Sequence, residues 1–212
     1  MSTSVIERVV CAYAGFVYKR VYRRLHPRDP FFTPKAIKAL DAHLSPEMQV
    51  FEWGSGMSTL WFAERVRRVV SVEHDSKWYR RTAEEITKRD LRNVTLIYAP
   101  PNEDGKRFLW ESNWPFYAQL GHPPRKKEFK DYMSAIDAYS DGCFDCICID
   151  GRERVGCLMH AVPKLRDDGF IILDDSSRER YGELFDFAKT WRTERYPFGI
   201  KETSFLRPLQ GR

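Results

Sequence analysis

Val50-Phe51-Glu52-Trp53-Gly54-Ser55-Gly56-Met57-Ser58-Thr59, followed by Val69-Val70-Ser71-Val72-Glu73-His74-Asp75, decides the fold of this 212-residue chain. It reads as a buried strand, a glycine turn, a helix start and a second strand that ends on acid. Gly54 and Gly56 permit a tight turn that exposes backbone N–H groups. Ser58 and Thr59 put hydroxyls at the mouth of the next helix, where the dipole favours a carboxylate or phosphate. Glu73 lies 21 positions beyond Glu52, where a carboxylate can accept hydrogen bonds from both ribose hydroxyls of an adenosine-type cofactor. The pattern predicts an enzyme that binds a nucleoside cofactor.

Strand and helix alternate on both sides of this unit. Upstream, His26-Pro27-Arg28-Asp29-Pro30 breaks the chain before a short helix at 34–44, with Thr33 as its cap and Pro34 at its first position. Downstream, Leu60, Phe62, Ala63 and Val66 mark one helix, Tyr79, Ala83 and Ile86 a second, and a third strand follows at 94–98. Phe144-Asp145-Cys146-Ile147-Cys148-Ile149-Asp150 is the fourth strand. The helix after it carries Val155, Leu158, Met159, Val162 and Leu165 on one stripe, with a kink expected at Pro163. Gly169 introduces the fifth strand, Phe170-Ile171-Ile172-Leu173-Asp174-Asp175. Tyr181, Leu184, Phe185, Ala188 and Trp191 predict a further helix, and strands near 196–200 and 203–206 complete the series. Short, nearly continuous apolar strands belong to parallel sheets covered on both faces. Residues 31–212 are therefore expected to form one doubly wound α/β domain, with a mostly parallel seven-stranded sheet. Ligands of such sheets bind beyond the carboxyl ends of the strands, which is where residues 54–59, 73–75, 150–154 and 174–178 fall.

Composition narrows the class. Lys and Arg number 35 against 30 Asp and Glu, a net charge of +5, too weak an excess to argue for nucleic acid. Five cysteines, three of them in or beside the fourth strand, read as buried small hydrophobes and not as disulfides or a zinc site. No apolar run is long enough to span a bilayer and no cleavable leader is visible, so a cytoplasmic protein is expected. Residues 1–30 read as an amphipathic helix and linker: Ile6, Val9, Val10, Tyr13, Val17 and Val21 recur at helical spacing, and Lys19, Arg20, Arg23 and Arg24 close the segment. Packing on the domain body or on a second subunit, as a homodimer, is the favoured reading. Weak contact with an anionic membrane surface is the alternative.

The turn also separates two cofactor classes. A dinucleotide-binding turn wants a third glycine at position 59, and here the residue is Thr59. S-adenosylmethionine carries an amino-acid carboxylate and ammonium where the dinucleotide has its pyrophosphate, so hydroxyls and an acid such as Glu52 become useful. On these residues the chain resembles a class I S-adenosylmethionine-dependent methyltransferase with a Rossmann-like domain. Val50 to Gly56 is similar to that family's first motif and Ser71 to Asp75 to its second, while Ile149-Asp150-Gly151-Arg152 and the fifth strand match its later ones. The resemblance implies that Glu52, Gly54, Ser55, Gly56, Ser58 and Thr59 line the methionine end and Glu73 and His74 the ribose side, with Asp150 close by. It also implies that Tyr98-Ala99-Pro100 lies at the adenine. The chain lacks the Asn-Pro-Pro-Tyr type motif of enzymes acting on DNA bases and exocyclic amides.

Methyl transfer from a sulfonium is an in-line displacement, so the protein must align the acceptor and manage its proton. Asp150, Asp174 and Asp175 are the catalytic candidates; His74 and His160 are weaker candidates for a base. A likeness to catechol O-methyltransferases would let these three carboxylates hold magnesium. Asp175 stands where those enzymes carry Asn, and a divalent metal is not favoured. Arg152, Arg154 and Arg178, with Arg180 beside them, are candidates for binding an acidic acceptor; pairing with neighbouring acids is the competing reading. The segment 100–141 is an aromatic-rich insertion, read as a lid or as packing over the sheet edge. The expected activity is O-methylation of a small molecule or glycan, with no nucleic-acid partner. A nicotinamide-dependent oxidoreductase and a non-catalytic Rossmann-like scaffold are the alternatives.

Overall fold

The computed structural model describes residues 21–102 (except 23), 129–178, 181 and 188–209. The expected N-terminal helix, apart from a few residues at its end, and the central part of the aromatic insertion lie outside these residues. Helix α1 (Pro34–His43) precedes β1 (Gln49–Trp53), α2 (Met57–Ala63), β2 (Arg68–Glu73), α3 (Ser76–Lys88) and β3 (Val94–Tyr98). After the insertion come the short helix α4 (Lys130–Ser134), β4 (Phe144–Ile149), α5 (Arg154–Lys164), β5 (Leu165–Asp174), β6 (Trp191–Phe198) and β7 (Lys201–Pro208). The seven strands form one sheet in the order β3-β2-β1-β4-β5-β7-β6. The first five are parallel, and β7 runs antiparallel to both β5 and β6. Strand order reverses between β1 and β4, the place where an open α/β sheet leaves a crevice at its carboxyl edge.

Period-two alternation sends side chains into two separate cores, one on each face. Phe51, Trp53, Val70, Val72, Ile147, Ile149, Ile171, Leu173 and Leu206 pack on α4 and α5. Val50, Val69, Cys146, Cys148, Phe170, Ile172 and Phe205 pack on α1 and α2 through Ile37, Leu40, Trp61 and Phe62. Full burial of each such side chain contributes about 1.5–3 kcal/mol, which explains why the centres of these strands are mostly apolar. The buried polar exceptions include Glu52, Ser71, Glu73, Asp174, Thr203 and Ser204, and most of them meet at the site.

Local expectations were met unevenly. Asp75 caps α3, accepting hydrogen bonds from the Lys77 and Trp78 N–H groups at 2.9 and 3.0 Å. Thr33 occupies the cap position of α1 but does not cap with its side chain; its hydroxyl donates to the Tyr196 carbonyl at 3.0 Å. Pro163 lies in the last turn of α5, which ends one residue later. Trp191 was expected to close a helix but opens β6, after a single 3-10 turn at Ala188–Thr190. The described end of the insertion is core and not lid: Phe129, Tyr132, Met133 and Ile136 are all buried on the sheet. Cys143, Cys146, Cys148 and Cys157 are free thiols, the last three buried, and burial pushes those three well above the usual thiol range. Among the described residues no helix is long and apolar enough to cross a membrane.

Candidate active site

The glycine turn after β1 is held by its neighbours on both sides. The Gly54 N–H donates to the Val72 carbonyl at 2.9 Å, and the Asp150 N–H donates to the Trp53 carbonyl at 2.9 Å. Gly54 has φ +97°, and a Cβ there would meet the Asp150 carbonyl oxygen at 2.7 Å, so no L side chain fits this crossing. Above the turn opens a cleft of about 200 Å³ lined by residues 54–58, Glu73, His74, Trp78, Asp150, Gly151 and Phe31. The Glu73 carboxylate, 3% exposed, is fixed in place: one oxygen accepts from the His74 and Asp75 N–H groups, both at 2.8 Å, the other from the Ser55 N–H at 2.9 Å and its hydroxyl at 3.2 Å. Ser55 Oγ can turn instead to Thr82 Oγ1, also at 3.2 Å, releasing one acceptor position for a ligand hydroxyl.

Glu52 and Thr59 lie beneath the cleft, absent from its lining and fully buried. Thr59 Oγ1 donates to Glu52 Oε2 at 2.5 Å and accepts from the Gly56 N–H at 3.0 Å, so it ties the turn to the strand. Ser71, directly opposite Glu52 in the β1/β2 register, donates to the same oxygen at 2.6 Å. Among the described residues, Glu52 Oε1 is buried without a hydrogen-bond partner. Burial pushes the Glu52 pKa up to about 7 against the pull of the Ser58, Ser71 and Thr59 hydroxyls. A buried carboxylate oxygen without a donor, below a cleft floored by glycine, suits the ammonium of an amino-acid ligand.

The tips of β4 and β5 form the second half of the site. Arg154, 6% exposed, turns inward: it donates to Asp150 Oδ1 at 2.9 Å, to the Gly151 carbonyl at 3.1 Å and to the Asp174 carbonyl. Lys201 Nζ, arriving on antiparallel β7, donates to Asp174 Oδ2 and to the Phe31 carbonyl, both at 2.5 Å, and lies 3.6 Å from Asp175. Thr203 Oγ1 donates to Asp174 Oδ1 at 2.8 Å. Arg178 pairs with Asp175. Glu153 and Asp175 both adopt left-handed backbone, at φ 46° and 51°, conformations that cost a non-glycine residue energy and persist where the surroundings fix them. Arg152 differs from Arg154 in being exposed, with no hydrogen-bond or ion-pair partner among the described residues.

Two further hollows open from this edge. A cavity of about 580 Å³ lies between the segment before α1 and the β6–β7 turn, over Asp150, Asp174 and Asp175. A recess of about 380 Å³ is lined by His74, residues 150–155, Arg178 and Tyr181. Asp150 borders the cleft and both hollows. Burial, and then the neighbouring Asp174, hold its carboxyl well above the usual range despite the Arg154 contact.

A methyltransferase-domain family model matches residues 51–176, the segment that runs from within β1 through β5 and carries the lining of the cleft above the glycine turn except Phe31. The chain belongs to that family. It is an S-adenosylmethionine-dependent methyltransferase, with the sheet order just described. Solved structures agree in fold: an rRNA methylase from Streptococcus thermophilus is 11% identical, with a TM-score of 0.59, covering 86% of this chain and 100% of its own. A precorrin-6y C5,15-methyltransferase from Geobacter metallireducens is 13% identical, with a TM-score of 0.56 and coverage of 85% and 92%. A Streptococcus mutans protein solved in complex with SAH is 10% identical, with a TM-score of 0.58 and coverage of 85% and 100%. No curated protein matches the sequence significantly.

Asp150, Asp174 and Asp175 each hold a protein cation, and among the described residues no group of three His, Cys, Asp or Glu side chains is placed to bind an ion. His160 bonds Asp137 at 2.8 Å and lines none of the three hollows. His74 lines cleft and recess; its Nδ1 is 3.0 Å from Glu73 Oε1 but off-line for a hydrogen bond. Tyr98 packs against Tyr79 at 5.0 Å and is not in the cleft lining. The methyltransferase also uses residues that sequence reasoning missed. Phe31 and Trp78 wall the cleft, Lys201 and Thr203 hold Asp174, and buried Tyr132 presses its hydroxyl on Gly151, where a Cβ would lie 1.8 Å from it. Asp75 opening α3 is the one available signal for Trp78; the others depend on strand order.

Proposed function

We propose that this methyltransferase methylates an oxygen of a small-molecule or glycan acceptor seated in the 580 Å³ cavity, with Asp150 as general base. The observation that carries the reading is that Asp150 alone borders the cofactor cleft, the cavity and the recess, so a group bound there can touch both ligands. S-adenosylmethionine, when bound, supplies a sulfonium methyl group for in-line displacement. The cleft residues 54–58 and Glu73 hold it, Glu52 balances its ammonium from below, and Thr59 keeps Glu52 in position.

Asp150 Oδ1 is taken by Arg154 and Oδ2 has no partner among the described residues. That free oxygen would take the proton of the acceptor hydroxyl as the hydroxyl oxygen displaces the thioether from the methyl carbon, so that S-adenosylhomocysteine leaves as the carbon–sulfur bond breaks. A carboxylate raised toward neutrality is a stronger base than an ordinary aspartate. Asp174 and Asp175, clamped by Lys201, Thr203 and Arg178, keep the cavity floor rigid and hold Asp150 raised. Arg152 offers a guanidinium to an acidic group reaching into the recess, with Arg178 at its rim. Arg154 serves by fixing Asp150. The walled cavity favours a small acceptor over a folded RNA, whatever the rRNA methylase of similar fold acts on.

The test is mass spectrometry of acceptor pools incubated with the protein and S-adenosylmethionine, scored for methyl gain. D150N should lower kcat by about 10²–10⁴-fold. Unchanged kcat would remove Asp150 as base, and methyl gain confined to RNA would remove the acceptor class.

A further inference from the structure

The cofactor cleft lies almost wholly within the family-matched residues 51–176, whereas both walls of the acceptor cavity lie outside them. One wall is the segment before α1, with Tyr22, His26, Asp29 and Phe31; the other is the β6–β7 turn, with Phe198 and Lys201. The first wall is a built structure. The Tyr22 and His26 rings stack at 4.3 Å and 21°, and Tyr22 Oη donates to Asp29 Oδ2 at 2.7 Å. Lys201 to the Phe31 carbonyl and the Thr33 N–H to Thr203 Oγ1 at 3.1 Å fasten it across the cavity to β7.

The polar lining is specific about its ligand. The cations of the cavity are committed, Lys201 to Asp174 and Arg178 to Asp175. Two carboxylate oxygens are not: Asp29 Oδ1 on the wall and Asp150 Oδ2 on the floor have no partner among the described residues. Free acceptors without free cations ask for a ligand that donates hydrogen bonds and carries little negative charge here. Acceptors on wall and floor ask for donors on more than one edge of it, and the aromatic walls Tyr22, Phe31 and Phe198 ask for a ring face. A phenol or catechol presents its hydroxyls along one edge; a sugar ring carries them around its rim and an apolar C–H face besides.

We infer that the cavity is a sugar-binding site, in which Asp29 is a specificity-determining residue that accepts a second ring hydroxyl while the first faces Asp150. This rests on the methyl-transfer reading only for the role of Asp150. The sequence segment around Tyr22, His26 and Asp29 then selects the acceptor, and the family-wide residues 51–176 supply the donor side.

Saturation-transfer NMR on the full chain loaded with S-adenosylhomocysteine, with a panel of methyl hexosides and methyl hexuronides and with catechol as planar control, tests this. At least one glycoside should bind, with catechol weaker. D29N should weaken that glycoside about tenfold, the effect of replacing a charged acceptor by a neutral amide that also turns a donor toward the site. Thermal midpoints with S-adenosylhomocysteine report whether the variant is folded. Catechol binding alone, no glycoside binding, or a folded D29N variant with wild-type glycoside affinity would overturn the sugar site. Glycoside binding lost in D29N but never followed by methyl gain would uphold the site and remove the O-methyl-transfer reading instead.

Discussion

Arg152 and Arg154 stand two residues apart in one loop, and replacing each by alanine should have opposite consequences. Arg154 is buried and makes three donations, one to a carboxylate and two to carbonyls, that join the ends of β4 and β5. Its removal leaves Asp150 buried beside Asp174 without its ion-pair partner, the more distant Lys201 being the remaining cation, and breaking such a pair costs about 3–5 kcal/mol. The two carbonyls losing a donor lie within that range, since both face the site and can recruit water. For a domain of this size the loss corresponds to a fall of roughly 6–20 °C in melting temperature. Arg152 is exposed without a partner among the described residues, and its truncation should change stability by no more than about 0.5 kcal/mol while raising KM for an acidic acceptor. Urea unfolding of R152A and R154A, with melts at matched pH, decides the matter. An R154A variant within about 1 kcal/mol of wild type, or an R152A variant as damaged as R154A, would refute the division of labour between the two side chains.

Other substitutions probe the remaining parts. Gly151→Ala should cost about 1–3 kcal/mol and weaken S-adenosylhomocysteine binding by calorimetry, because its methyl group overlaps the Tyr132 hydroxyl; adding Tyr132→Phe should recover part of the loss. Glu52 has a folded pKa raised to about 7 from 4.5, so its ionisation opposes folding above pH 7 and the penalty fades as pH falls toward 4.5. The full effect is roughly 3 kcal/mol. Glu52→Gln should therefore flatten the ligand-free stability profile between pH 5 and 8, raising stability at pH 8, and should weaken S-adenosylhomocysteine binding; a profile unchanged by the substitution would contradict the raised pKa. Thr59→Val should lower stability and cofactor affinity together in thermal-shift titrations, by about 1–3 kcal/mol for a buried donor lost to Glu52 and an acceptor lost to Gly56.

The half of the fold that local rules govern could be read from the residues. β1, the glycine turn and β2 are contiguous, and the φ of +97° at Gly54 is a demand that only glycine meets without strain. Most of the parallel strands were legible because burial on both faces leaves residues 50–53, 69–72, 144–149 and 170–173 apolar except at Glu52, Ser71 and Asp145. What escaped depends on partners far away in the chain. Trp191 completes a helical stripe on paper, yet its indole is buried at the start of β6. Thr59 reads as a hydroxyl for the cofactor, but α2 turns it under the floor to hold Glu52. Arg154 looks equivalent to Arg152 until the left-handed Glu153 rotates one guanidinium inward and leaves the other out. Lys201 carried no signal at all, because its role requires the Asp174–Thr203 register between antiparallel β5 and β7.

The bonds from Lys201 to Phe31 and from Thr33 to Thr203 each span 170 residues, and this separation gives ribosomal synthesis a direction. The motif from Glu52 to Glu73 is complete while Lys201 is still 128 codons away, a delay on the order of 10 s at ordinary translation rates. On the proposed reading, a nascent chain thus acquires the residues assigned to the methyl donor well before those assigned to the acceptor. Premature release anywhere before β7 should then leave a protein blind to that acceptor, because the proposed selectivity waits for the β6–β7 hairpin to close on the segment around Phe31.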